Sequence, residues 1–155
     1  MSTRSYIVIE KKRESGEKFY EGVYCHSDGY PSHNGQILFN HYQDRTKVEK
    51  LISLGDLSFL DERIEPTEGS GHNFEYSERE AGVCVFYSRD RGETGVEAKE
   101  VTLEELAGDI WIEYTYIYTL DGEWKVFAYD HLDKIAKLED ALKNEDILYP
   151  ENNES

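Results

Sequence analysis

Cysteine, proline and positive charge are all scarce in this chain. Two cysteines, Cys25 and Cys84, stand in 155 residues. That is too few in too long a chain for a disulfide scaffold, and each falls in an apolar, strand-like segment that reads as core. Three prolines and twelve glycines exclude collagen-like and low-complexity classes. No apolar run approaches the ~20 residues of a membrane-spanning helix, and the opening MSTRSYIVIEKK lacks the apolar stretch of a secretory signal. A reducing cytoplasmic setting without a disulfide is expected. The Walker loop and the G-x-G-x-x-G, G-x-S-x-G and H-E-x-x-H signatures are absent. No reaction is indicated, and no cofactor is expected.

Acidic residues are plentiful. Thirty-three Asp and Glu face 17 Lys and Arg, for a net charge of −16. The excess is uneven: residues 1–54 carry +1, residues 55–100 carry −7 and residues 101–155 carry −10. Such a field repels nucleic acid and anionic membrane and attracts basic partners. Direct nucleic-acid binding is therefore disfavoured. With 38% hydrophobic and 13% aromatic residues, the chain has enough apolar surface to fold, and its length suits one domain.

Local patterns give an α+β expectation. SYIVIE (5–10) and KFYEGVYC (18–25) flank a turn at 14–17 and read as a hairpin. GQILFNHY (35–42) and TKVEKLISL (46–54) read as two short helices; in the second, Val48, Leu51 and Ile52 share one face. DLSFL (56–60) reads as a short turn, residues 61–80 as a mobile loop, and GVCVFYS (82–88) as a central strand. Thr102 to Glu105 has capping-box spacing. Asp121-Gly122 suits a two-residue type I′ hairpin turn, which would pair Tyr118 with Lys125 and Thr119 with Trp124. Leu132, Ile135, Leu138 and Leu142 recur near helical period. The expected architecture is an antiparallel sheet of about five strands, two short helices after strand 2 and a C-terminal helix on the sheet. It forms a single domain over residues 1–149 with a disordered acidic tail at 150–155.

Three groups of residues stand out chemically. The loop YCHSDGYPSHNG (24–35) offers His26, Asp28, Tyr30 and His33. An imidazole oriented by a carboxylate can act as base or ligand; the structural alternative is a turn bonded by Asp28 and shaped by Pro31. Cys25, His26 and His33 match no usual zinc spacing, and no metal is expected. SRDRGE (88–93) offers Arg89 and Arg91, which with His26 and Asp28 could hold a phosphorylated ligand; the alternative is an internal ion-pair network. The third group is an acidic and aromatic face drawn from Glu104, Glu105, Asp109, Glu113, Tyr114, Tyr116, Tyr118, Asp121 and Glu123. The tyrosines are either half-buried against the terminal helix or exposed as anchors.

YCHSDGYPSHNG, KVEKLISLGDLSFL, VFYSRDRGE and YIYTLDGEWKVF, in that order, resemble a family of small acidic proteins of bacteriophages and prophages that has no assigned activity. The similarity runs from about Tyr20 to Tyr129 and departs from the family pattern at Ser27 and at Ser32-His33. It implies a non-enzymatic accessory protein of the host-cell cytoplasm. Such a protein would serve host takeover or counter-defence, as an anti-CRISPR or anti-restriction inhibitor does, by presenting a DNA-mimicking face to a basic nuclease or defence complex. A small phosphorylated-ligand (nucleotide) binding protein or enzyme using His26, Asp28, Arg89 and Arg91, and a virion structural protein, are the other expectations.

Overall fold

The computed structural model describes residues 2–151; Met1 and residues 152–155, and with them most of the expected tail, lie outside the described residues. β1 (Ser5–Lys12) and β2 (Lys18–Cys25) form the expected hairpin, with Ser5 opposite Cys25 and Lys12 opposite Lys18. After β2 the chain passes through one wide helical turn (Pro31–Gly35), then α1 (Gln36–His41) and α2 (Arg45–Ser53). Asp44 caps α2 by accepting the Thr46 N–H. There follow β3 (Leu57–Phe59), β4 (Val85–Phe86), α3 (Tyr87–Arg91), β5 (Lys99–Val101) and α4 (Leu103–Ala107). Last come β6 (Tyr114–Tyr118), β7 (Trp124–Ala128), β8 (Ala136–Lys137) and α5 (Leu138–Lys143).

The α+β class stands, but the sheet is larger than five strands and it is mixed. Its order is β4-β3-β2-β1-β6-β7-β8, with β5 also on β2. Most pairs are antiparallel, whereas β1 with β6 and β2 with β3 are parallel. Short strands with little alternation of their own, β3, β4, β5 and β8, are set by the edges they complete.

Four local expectations are corrected. Residues 57–59 are a strand, because Leu57 O and Ser58 O accept the N–H groups of His26 and Ser27. The 82–88 segment contributes only two strand residues, and at the sheet edge. Other groups are taken elsewhere: the Cys84 N–H donates to Arg63 O, Cys84 O accepts from His72 and Arg89, and the Phe86 N–H donates to the Asp90 side chain. These contacts close the edge that would otherwise pair with another chain. The 132–142 segment is not one helix. Ala136 and Lys137 pair with Val126 and Lys125 on the open edge of β7, which interrupts it.

The fourth correction is the β6–β7 turn. Tyr118 pairs with Trp124, not Lys125. The Gly122 N–H donates to Thr119 O and the Thr119 N–H to Glu123 O, so Leu120, Asp121 and Gly122 form a three-residue loop in which Gly122 alone of the three has positive φ, +78°. This is a type I turn closed by a left-handed residue. A one-residue slip exchanges the faces of β7 relative to β6. It puts Trp124, Val126 and Ala128 beside Tyr114, Tyr116 and Tyr118.

That shared face is the main core. It also holds Ile7, Ile9 and Val23 of the first hairpin, and it is covered by Leu38, Leu51, Ile52 and Leu138 of the helices. Burying each large side chain contributes about 2 kcal/mol, provided its polar atoms are satisfied. The tyrosines manage this by donating outward into the covering layer: Tyr116 to Gly29 O and Tyr118 to Gln43 O, with Trp124 Nε1 donating to Tyr42 O. Gly29 packs so closely that an added Cβ would lie 2.7 Å from Ser5 Cβ and 2.8 Å from Thr3 O. On the opposite face Val8, Ile117 and Phe127 are covered by Leu106 of α4.

Candidate protein-interaction surface

The residues singled out in the His26 loop are held by one another. His26 Nδ1 shares a 2.8 Å hydrogen bond with the Tyr24 hydroxyl, and none joins it to Asp28 among the described residues. Asp28 itself is at φ +52° and accepts from the Tyr30 hydroxyl. His33 Nδ1 lies 2.9 Å from Asn34 Oδ1. Buried Asn34 then fastens the loop, donating to Ser5 Oγ, Cys25 Sγ and Ser27 O. Burial pushes the Cys25 thiol up to about 12, leaving it neutral. These bonds tie the loop to β1 and β2 and leave His26 and Asp28 unpaired with each other.

Arg89 and Arg91 are likewise engaged at home. The Arg89 guanidinium bonds Asp90, Ile64 O and Cys84 O. Arg91 pairs with Glu93 at 3.1 Å and stacks on Phe74 and Tyr87. No hydrogen bond or ion pair among the described residues joins either arginine to the His26 loop. A phosphate placed there would have to break these contacts.

Of the acidic and aromatic group, the tyrosines leave the surface altogether. Tyr114, Tyr116 and Tyr118 are 6%, 0% and 2% exposed, and their reading as interaction anchors is corrected. Burial first, then a hydrogen bond from neighbouring Tyr149 acting the other way, sets the Tyr114 phenol, which ends up at about 12. The carboxylates divide between the two ends of β6. Asp121 and Glu123 sit at the β6–β7 hairpin, where Glu123 meets Lys137. Asp109 and Glu113 sit before β6, the five-residue length of the strand away, on the order of 13 Å. α4 carries Glu104 and Glu105 outward, its Leu106 buried beneath. Thr102 caps it, accepting the Glu105 N–H while Glu105 reaches back to the Thr102 N–H.

Between α4 and β6 lies a feature that the alternation of the strands does not announce. Asp109 O accepts the Ile112 N–H at 3.1 Å and Asp109 Oδ1 accepts the Trp111 N–H at 2.9 Å, a turn doubly fixed by one aspartate. Its two tip residues are Ile110, 86% exposed, and Trp111, 64% exposed. Ile112 is buried and anchors the turn. Beyond it the Tyr129 N–H donates to Glu113 O, and Tyr129, at φ +50°, leaves its ring half in solvent. Asp130 follows, exposed.

The electrostatics here are predominantly acidic, with Arg4 over the Trp111 ring as a nearby cation. Between Lys99 and Lys125 there is no lysine or arginine, only Glu100, Glu104, Glu105, Asp109, Glu113, Asp121 and Glu123. Glu104, Glu105, Asp109 and Glu113 have no ion-pair partner among the described residues. The field is felt below the surface: the Tyr6 phenol is pushed up to about 12, first by burial and then by Asp56, Asp109 and Glu105. Ile110, Trp111, Tyr129 and Asp130 were not among the residues expected from sequence. The legible signal was two large apolar residues directly after Gly108-Asp109, in a turn rather than a strand. No family model, curated protein or solved structure matches this chain.

Proposed function

We propose that this protein is a non-enzymatic binding protein that engages a basic, nucleic-acid-binding protein surface through the Asp109–Glu113 turn and the acidic helix α4. One observation carries the reading: Ile110 and Trp111 stand exposed at the tip of a rigid turn, inside a run of carboxylates whose Glu104, Glu105, Asp109 and Glu113 have no ion-pair partner among the described residues. Monomeric surfaces seldom present large apolar side chains together without use, and tryptophan in a polar rim is the commonest binding anchor. The carboxylates speed encounter with a cationic partner and reject nucleic acid. The mode of action is occlusion of the partner's nucleic-acid groove. The resemblance to phage and prophage proteins extends the proposal to a host nuclease or defence complex as partner, in the host cytoplasm.

The test uses the full chain as bait, beside a variant carrying Ile110→Ser and Trp111→Ser. At about 50 mM salt the native chain should retain a basic protein that about 500 mM salt releases, that the variant does not retain, and that duplex DNA displaces. Retention of no basic protein at the lower salt, or equal retention by the variant, overturns the proposal.

A further inference from the structure

A cleft of about 310 Å³ opens beside the exposed turn, lined by Ala107, Asp109, Ile110, Ile112, Tyr129 and Asp130 among others. Its size is at the small end of ligand sites, room for a side chain rather than a nucleotide. Its chemistry is two-sided. Ala107, Ile110 and Ile112 supply an apolar wall, the Tyr129 ring another, and Asp109 and Asp130 bring two carboxylates to its rim. Asp109 uses Oδ1 on the Trp111 N–H, which leaves Oδ2 free to accept. Among the described residues the Asp130 carboxylate pairs with His131 alone, at 3.2 Å through Oδ1.

We infer that this cleft receives one arginine side chain of the partner, its methylene stem along Ile110 and Ile112 and its guanidinium over Tyr129 between Asp109 and Asp130. The inference rests on the reading of this face as a protein-binding surface and names what that surface selects. Charge complementarity chooses the occupant. An anion is excluded by the two carboxylates, and a second copy of the chain would bring the same carboxylates to the contact. Lysine offers the charge but not the plane: guanidinium stacks on a phenol ring and bonds two carboxylates at once, and it sheds water more easily than ammonium.

The neighbouring residues show this chemistry already at work. The protein's own Arg4 stands over the Trp111 ring, 5.4 Å from its centroid, so the tryptophan has a guanidinium in cis. Tyr129 has none: among the described residues no lysine or arginine lies over it. Its ring packs against Tyr114, His131 and Tyr149, at 6.1, 6.2 and 6.4 Å. Its left-handed backbone, costly for a large residue, fixes the ring at the cleft rather than letting it continue along β7.

Isotope-labelled full-length protein, titrated with blocked Gly-Arg and Gly-Lys repeat peptides of equal length at low salt, tests this. The Gly-Arg peptide should bind about three- to fivefold more tightly, with amide shifts concentrated at Asp109, Ile110, Ile112, Tyr129 and Asp130. Tyr129→Asn, whose side chain tolerates the left-handed backbone, should abolish that preference while leaving weaker binding of both peptides, its dispersed amide spectrum showing that the variant is folded. Equal affinities with shifts spread over the acidic face overturn the arginine slot but leave the basic-partner reading standing. Shifts that depend on protein concentration without peptide give the cleft to a second copy and overturn it too. Failure of both peptides to bind at low salt overturns both readings.

Discussion

Single side chains in this protein tie long loops to the sheet, and Glu80 shows how far one can reach. It accepts from the Thr67 hydroxyl and N–H and from Arg63, while its own N–H donates to His72 Nδ1. Because that nitrogen accepts, His72 Nε2 carries the proton it donates to Cys84 O. The hydrogen bonds from Thr67, then from Arg63, hold the Glu80 carboxyl far below its ordinary 4.5, at about 2. A depressed acid contributes stability that is complete above its unfolded value and is lost as the pH falls through the folded one. The native chain should therefore lose thermal stability between pH 4.5 and about 2 more steeply than Glu80→Gln, the gap between the two closing at the acid end. Parallel melting curves across that range would show that Glu80 does not anchor residues 65–80.

At the scale of elements, local signals succeeded where chain neighbours decide the outcome and failed where distant edges do. The β1–β2 hairpin, α1, α2 and the Thr102 capping box are decided within a few residues, and all four were legible. β3, β4 and β8 have no pattern of their own; each forms because an edge strand offers unpaired groups. The period of Leu132, Ile135, Leu138 and Leu142 mimics a helix, yet Ile135 stays exposed and only Leu138 is fully buried. The Asp121-Gly122 turn was located but given the wrong loop length, since the same dipeptide serves two- and three-residue hairpins. Only the pairing of Tyr118 with Trp124 distinguishes them. Gly122→Ala forces a Cβ into the left-handed region and should lower stability by about 1 kcal/mol in urea titration, with Gly122→Asn costing less. In a two-residue I′ turn Asp121 would share the positive φ, so Asp121→Gly would stabilise; here it should not. The candidate site was legible as charge but not as shape. Glu104, Glu105, Asp109 and Glu113 are visible in the chain, whereas Tyr129 meets Ile110 only after β6 and β7 fold back.

For the molecule as a whole, binding and folding draw on different residues. The core is the face of Tyr116, Trp124 and Leu51, all at most 2% exposed; the proposed contact surface is Ile110 and Trp111, which the core does not use. The variant carrying Ile110→Ser and Trp111→Ser should therefore unfold within about 0.5 kcal/mol of the native chain. A larger loss in urea would mean that the turn is part of the fold and that its exposure has been misjudged. The position of β1 has a further consequence. β1 lies inside the sheet, with Ser5 beside Tyr114, and its partner on that side is more than a hundred residues further along the chain. While a ribosome is still translating the central loops, the first hairpin waits with one flank bare, so assembly must be largely post-translational and slow for a chain of this size. A fragment ending before residue 112 should behave as an aggregating peptide rather than a smaller domain.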